Sequence, residues 1–270
     1  MHIAQDLRDD IFLSVMHKKV RANITVEDSG IVCGMKFAAE KLDSLGAVIH
    51  QMVNDGTPVE KGDVILSFSG DPKTIAMAED LVMGYIAKPS GIARAARKAV
   101  DLAQGKIEIV SGAWKKMPFD IKHLVRHGIM TGGSAGRIVQ GPFIYLDKNY
   151  VRIFGSVKAT LEAVRGLEDY AKVIQLRGEI EDITTEAKAA VEGGAYVLMV
   201  DTGSLDDLAA VSEIVKRMGA RQKVKIAFAG SIKIKDIPKL LEYDVDILDI
   251  GTQIIDASLL DLKMDVVHIY

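Results

Sequence analysis

Glu181 and Asp201 close two neighbouring strand-like stretches, Gly178-Glu179-Ile180-Glu181-Asp182 and Tyr196-Val197-Leu198-Met199-Val200-Asp201. Two carboxylates at adjacent strand ends, with no histidine or cysteine near them in sequence, suit a hard cation such as magnesium (Mg2+), held partly by water and partly by a phosphorylated substrate. The alternative is structural: a carboxylate at such a place caps the next helix, as Asp182 would ahead of Thr184-Thr185-Glu186. Lys115 and Lys148 also follow strands, in Trp114-Lys115-Lys116 and Asp147-Lys148-Asn149. As point charges they would hold phosphate or pyrophosphate; as ordinary loop lysines they would only face solvent.

Small residues mark a third kind of site. Ala229-Gly230-Ser231 and Ile250-Gly251-Thr252 each follow a strand, where backbone N–H groups can approach a phosphate or where glycine merely turns the chain. Gly132-Gly133-Ser134-Ala135-Gly136-Arg137 is glycine-rich but lacks the lysine of a P-loop. It reads instead as a lid whose Arg137 reaches an anion. His123 and His127 sit four apart on an expected helix without the context of a zinc protease, which makes them surface or interface residues. Cys33, the lone cysteine, reads as a small buried hydrophobe; it excludes an intramolecular disulfide and a multi-thiolate zinc site.

These residues need a scaffold that gathers strand ends. From Lys106 onward the chain alternates strand and helix, with strands expected over Ile107–Val110, Phe143–Leu146, Val173–Ile180, Tyr196–Val200, Val224–Phe228 and Ile247–Ile250 and a weaker one near Ile129. That rhythm predicts an incomplete parallel α/β barrel of the TIM-barrel kind over 105–251, with an open doubly wound sheet as the alternative. Residues 1–104 lack the alternation and predict an N-terminal α/β sandwich, completed by a strand from the tail 252–270. Within it, Asn54 to Leu66 resembles the hairpin of lipoyl-like and hammerhead domains. Periodicity there predicts two helices, Lys73–Gly84 and Ile92–Gln104, broken at Lys88-Pro89-Ser90-Gly91.

Composition sets the outer limits. The 270 residues are 49% hydrophobic, enough for a sizeable core, and 34 basic against 37 acidic residues give a net charge of −3. Nucleic acid and acidic membrane surfaces are therefore not expected partners. No apolar run approaches the roughly 20 residues that span a bilayer. Met1-His2-Ile3-Ala4-Gln5-Asp6 has no basic flank and apolar core of an export signal, so a cytoplasmic location is expected.

The order Lys88-Pro89-Ser90-Gly91, Trp114-Lys115-Lys116-Met117-Pro118, Gly132-Gly133, Asp147-Lys148-Asn149, Glu179-Ile180-Glu181, Val200-Asp201, Ala229-Gly230-Ser231 and Ile250-Gly251 resembles the quinolinate phosphoribosyltransferases, the carboxylating nicotinate-nucleotide pyrophosphorylases. The resemblance implies a sandwich joined to an incomplete barrel, a homodimer, and transfer of phosphoribosyl from phosphoribosyl pyrophosphate to a ring nitrogen with loss of carbon dioxide. It implies that Lys115 and Lys148 lie near the donor's phosphates, Glu181 (or its rival Glu179) and Asp201 near ribose and magnesium, and Gly230, Ser231 and Gly251 around the terminal phosphate.

The departures concern the acceptor. Trp114 stands where the family has an arginine, Lys88 where an arginine reaches the partner's site, Ala229 where a loop serine is found, and of a His-Arg pair only Arg137 remains. Lysine replaces a bidentate guanidinium poorly and tryptophan not at all. The expectation is thus a phosphoribosyltransferase-like enzyme with an altered acceptor. Ordinary quinolinate activity and a non-catalytic phosphate-ligand-binding protein are the alternatives.

Overall fold

The computed structural model describes residues 6–270; Met1–Gln5, on which most of the export-signal reading rests, lie outside the described residues. The chain forms two compact units. Of the described residues, one comprises 6–97, 117–133 and 256–270, the other 98–116 and 134–255. The sequence division at 104 and 251 differs mainly in the segment Met117–Gly133, which belongs with the first unit.

The first unit is built on an antiparallel sheet. Its strands are β1 (Val20–Val26), β3 (Val48–Met52) and β5 (Val64–Gly70), with a two-stranded ribbon of β2 (Gly30–Ile31) and β4 (Pro58–Val59) beside them. Strict alternation in β1 buries Val20, Ala22, Ile24 and Val26 on one face, the period-2 signature of a half-buried strand. Phe68, Leu66 and Leu42 complete that core.

The expected helix break does not occur. Pro72–Ala103 is one helix with Pro89 inside it. Proline removes the amide that would bond the carbonyl four residues back, here Tyr85. Gly34 lies against that carbonyl: a Cβ on Gly34 would come 1.9 Å from Tyr85 O, and its φ of 94° also demands glycine. Close backbone packing thus accommodates the proline where local periodicity predicted an interruption. The weak strand near Ile129 is likewise helix, within Phe119–Thr131, where Val125 and Ile129 are buried at helical spacing.

The second unit carries six parallel strands: β6 (Glu108–Val110), β7 (Phe143–Leu146), β8 (Ala171–Leu176), β9 (Val197–Asp201), β10 (Lys225–Ala229) and β11 (Ile247–Asp249), in the order β6-β11-β10-β9-β8-β7. Val110, Val173, Val197, Met199, Ala227 and Ile247, with Phe143 and Tyr145 beside them, form one apolar cluster, so all six strands turn one face to a common interior. A flat sheet would not bring its edge strands into one core; this is an incomplete barrel. Ala135 and Ile138 help fill the gap, Ala135 N–H bonding Ile109 O at 2.8 Å along the free edge of β6. The opposite face, Leu176, Leu198, Val200, Phe228 and Leu248, is buried, as crossover helices require.

The remaining strand, β12 (Leu262–Ile269), pairs antiparallel with β1 in the first unit, with Met264 opposite Ile24. Among the described residues no helix is long and apolar enough to cross a membrane.

Candidate active site at the barrel mouth

Alternation decides which side chains enter the mouth. Val173, Met199 and Ile247 face the interior, so two residues further on Gln175, Asp201 and Asp249 continue the same face at the carboxyl ends of β8, β9 and β11. Gln175 Nε2 donates to Asp201 Oδ2, and Arg177 Nη1 reaches the same oxygen at 3.1 Å. Both bonds use Oδ2, leaving Oδ1 outside them. Gln175 Oε1 in turn accepts the backbone N–H of Lys148 at 2.6 Å, which links the ends of β7, β8 and β9 through one amide side chain.

Arg177 is itself shared. Its Nε donates to Glu179 Oε1 at 2.6 Å, while Arg152 Nη2 lies 2.5 Å from Glu179 Oε2. The two guanidinium groups, Arg177 first, hold the Glu179 carboxyl below its ordinary range. Buried Glu186 accepts the backbone N–H of Arg177 and of Gly178, both at 2.9 Å, and so fixes the turn that aims Arg177. Lys148, Arg152, Gln175, Arg177 and Glu179 line a shallow, open depression.

Across the mouth, Lys115 lies in the short helix Ala113–Lys116, its Nζ 4.6 Å from the centre of the Tyr145 ring. That is a cation–π distance. Gly112 N–H donates to Asp249 Oδ1 at 2.9 Å. Burial raises the Asp249 pKa, and nearby Asp201 adds to the rise, against the pull of Gly112 N–H and Lys115. Burial raises Tyr145 too, helped by Asp249 and Asp201. The interior is therefore acidic; Lys115 and Lys116 act on Asp249, and Arg177 pairs with Asp201.

The expected residues separate into groups. Asp201 ends β9, while Lys115 and Lys148 lie in the segments that follow β6 and β7, in the short helix Ala113–Lys116 and the helix Lys148–Phe154. β8 stops at Leu176, not Ile180; Gly178 turns with φ 63°, and Glu181 lies beyond it in the loop before the helix Ile183–Glu192. Glu179 is engaged by arginines. Asp182 is a helix cap, accepting Thr184 N–H and Thr185 N–H at 3.1 Å each, and Asp147 caps Lys148–Phe154 in the same way. Trp114 Nε1 donates to Gly136 O at 3.0 Å, and Arg137 stacks 5.1 Å from the Phe143 ring centre. Lys88 belongs to the first unit, where Nζ donates to Ala257 O at 3.0 Å.

The glycine loops are tightly built. Gly230 (φ 107°) touches the backbone of Gly203, where a Cβ would meet Gly203 N at 2.3 Å, and Ser231 takes φ 61°. Ala229 O accepts Gly203 N–H at 3.0 Å. Thr252 opens the short helix Thr252–Ile255 after Gly251, and the neighbouring Gln253 accepts Ile234 N–H at 3.3 Å. Sequence reading missed Gln175, Arg177, Tyr145 and Asp249. The available signal was strand phase: each lies a multiple of two residues from a residue of the interior.

The carboxylates at the mouth that could hold a magnesium ion are Asp201, through Oδ1, and Asp249, each near enough to the other to influence its charge. One or two carboxylates completed by water and substrate phosphate is the usual arrangement for that ion, and residues of this kind suit it.

Comparison with known proteins agrees along the whole length. The description "Quinolinate phosphoribosyl transferase, C-terminal domain" matches residues 92–265 and its N-terminal counterpart residues 9–90. The probable nicotinate-nucleotide pyrophosphorylase [carboxylating] of Archaeoglobus fulgidus is 26% identical over 253 residues, covering 93% of this chain and 96% of that protein. The human nicotinate-nucleotide pyrophosphorylase [carboxylating] is 23% identical, over 90% and 81%. In fold, the crystal structure of the enzyme from Ehrlichia chaffeensis aligns with a TM-score of 0.85 over 98% of this chain and 94% of that one, at 18% identity. NadC from Streptococcus pyogenes gives 0.83 over 99% and 91%, at 16%. With both domains matched in order and a barrel mouth lined by acids and cations, the chain belongs to the quinolinate phosphoribosyl transferase family of phosphoribosyltransferase enzymes.

Proposed function

We propose that this protein transfers phosphoribosyl from phosphoribosyl pyrophosphate, with magnesium, to an acceptor other than quinolinate. The observation that carries the reading is the pairing of the rim arginines: Arg177 spends its donors on Asp201 and Glu179, and Arg152 on Glu179. A dicarboxylate needs planar bidentate cations, and these are already matched to protein carboxylates. Trp114, in place of an arginine, donates to the backbone and offers an apolar face instead.

In this reading Lys115 and Lys148 neutralise the departing pyrophosphate, and the Gly230-Ser231 and Gly251-Thr252 loops receive the ribose phosphate. Asp201, backed by Asp249, stabilises positive charge developing at the anomeric carbon. Magnesium, when bound, supplies charge neutralisation on the pyrophosphate. Gln175 and Arg177 orient Asp201 rather than contact the donor. Family likeness also supports a homodimer, which light scattering on the purified protein would check.

A second reading, quinolinate as acceptor, is favoured by the relatives, which are nicotinate-nucleotide pyrophosphorylases of the carboxylating kind, and by Arg137, a guanidinium stacked on the Phe143 ring. Calorimetric titration with phosphoribosyl pyrophosphate and magnesium, repeated with quinolinate and with Asp201→Ala, separates the readings. Donor binding lost in Asp201→Ala and unchanged by quinolinate supports the altered acceptor. Nicotinate mononucleotide formed from quinolinate overturns it. Donor binding without turnover against any acceptor would leave a binding protein, and no donor binding would sink all transferase readings.

A further inference from the structure

Three chain segments far apart in sequence meet inside the first unit. Cys33 precedes the helix Met35–Ser44, Asp55 lies in the Asn54–Thr57 turn, and His127 is on the helix Phe119–Thr131. Their ligating atoms all lie within 4.8 Å of one another. Sequence spacing gave His127 no ligand partners, because its partners come from other elements.

We infer that Cys33 Sγ, Asp55 Oδ2 and His127 Nε2 form a binding site for a divalent transition metal of the zinc class, with a water as fourth ligand. Thiolate, imidazole and one carboxylate make a donor set that selects zinc-like ions over magnesium. Bonds of about 2.0–2.3 Å require the side chains to shift by on the order of 1 Å, chiefly to open the 2.6 Å contact between His127 and Asp55. On binding, the thiol proton leaves to solvent, and the imidazole proton shared with Asp55 moves to Nδ1.

The surroundings are those of a held site. Met35 N–H donates to Asp55 Oδ1 at 2.9 Å, leaving Oδ2 to the cluster. Ser90 Oγ accepts Cys33 N–H at 2.8 Å and donates to Cys33 O at 3.2 Å, fixing the backbone at the thiol. Thr131, one turn after His127, lies 3.3 Å from Sγ, and Phe37 packs edge-on against the His127 ring at 5.5 Å. Such supporting contacts orient metal ligands. Cys33 is fully buried, whereas the His127 side chain is 37% exposed and gives an ion its way in. Without a cation the thiol is inert: burial pushes it up to about 12.

The test uses the full chain, freed of metal and titrated with Co2+, followed by Zn2+ competition. Expected are saturation at one equivalent, a thiolate-to-cobalt charge-transfer band, and its loss on adding Zn2+. Cys33→Ala should abolish the band; His127→Ala and Asp55→Asn should weaken binding by at least about tenfold. Asp201→Ala, in the other unit, should leave the band unchanged. The inference is overturned if the wild-type chain shows no saturable thiolate band, or if the band survives in Cys33→Ala or at full affinity in His127→Ala. Circular dichroism checks each variant's fold, and Cys33→Ser replaces Cys33→Ala if the latter does not fold.

Discussion

Arg177 and Asp201, from the ends of adjacent parallel strands, form an ion pair at 3.1 Å, and Gln175 bonds the same carboxylate oxygen. An acid that would serve a cationic transition state is thus oriented by an amide and a guanidinium rather than by a second acid. The first consequence concerns cation binding. Gln175→Glu would retain the acceptor for Lys148 N–H but set two carboxylates against each other, so the variant should melt lower in chelator and be rescued by Mg2+ or Mn2+. We expect about tenfold tighter Mn2+ binding than wild type, read by titration, since affinity for hard cations follows ligand charge. Unchanged Mn2+ affinity would count against a cation at this carboxylate.

Lys115 is the cation facing the acidic interior from the opposite wall, stacked on Tyr145. Its replacement by alanine should lower kcat/KM by about 10²-fold or more if it stabilises the leaving pyrophosphate. Lys116→Ala, one residue on, is the comparison. Equal losses in the two variants would assign the effect to local charge rather than to Lys115.

Glu186 predicts stability rather than turnover. Its buried carboxylate is the partner of two backbone amides, those of Arg177 and Gly178. Glu186→Ala should cost about 1–3 kcal/mol in urea unfolding by leaving buried donors unpaired. It should also lower activity through misplacement of Arg177.

The Asp249 carboxyl, raised by burial, gives a pH test with a definite sign. A raised acid holds its proton more tightly folded than unfolded, so its ionised form weakens the fold at neutral pH. That penalty is relieved as pH falls through the raised folded value toward the ordinary carboxylate range. Asp249→Asn keeps the acceptor for Gly112 N–H and should therefore be more stable than wild type at pH 7. The advantage should shrink steadily toward pH 4. Urea midpoints measured across that range decide it; a pH-independent difference would mean that Asp249 carries no such penalty.

Local signals in the sequence determined much of this protein. Alternating strand and helix from residue 106 implied the parallel sheet, glycine and polar strand ends implied the mouth, and the order of short motifs implied the family. Lys115, Lys148 and Asp201 were legible because each follows a short apolar run. Tertiary structure decided the rest. It ended β8 at Leu176 and set Gln175 and Arg177 against Asp201. It carried a helix through Pro89 because Gly34 packs on the Tyr85 carbonyl, and it gathered Cys33, Asp55 and His127 from three segments. Periodicity reports what a residue's near neighbours make favourable; which side chains meet across strands and helices depends on register and close packing, and no local pattern encodes those.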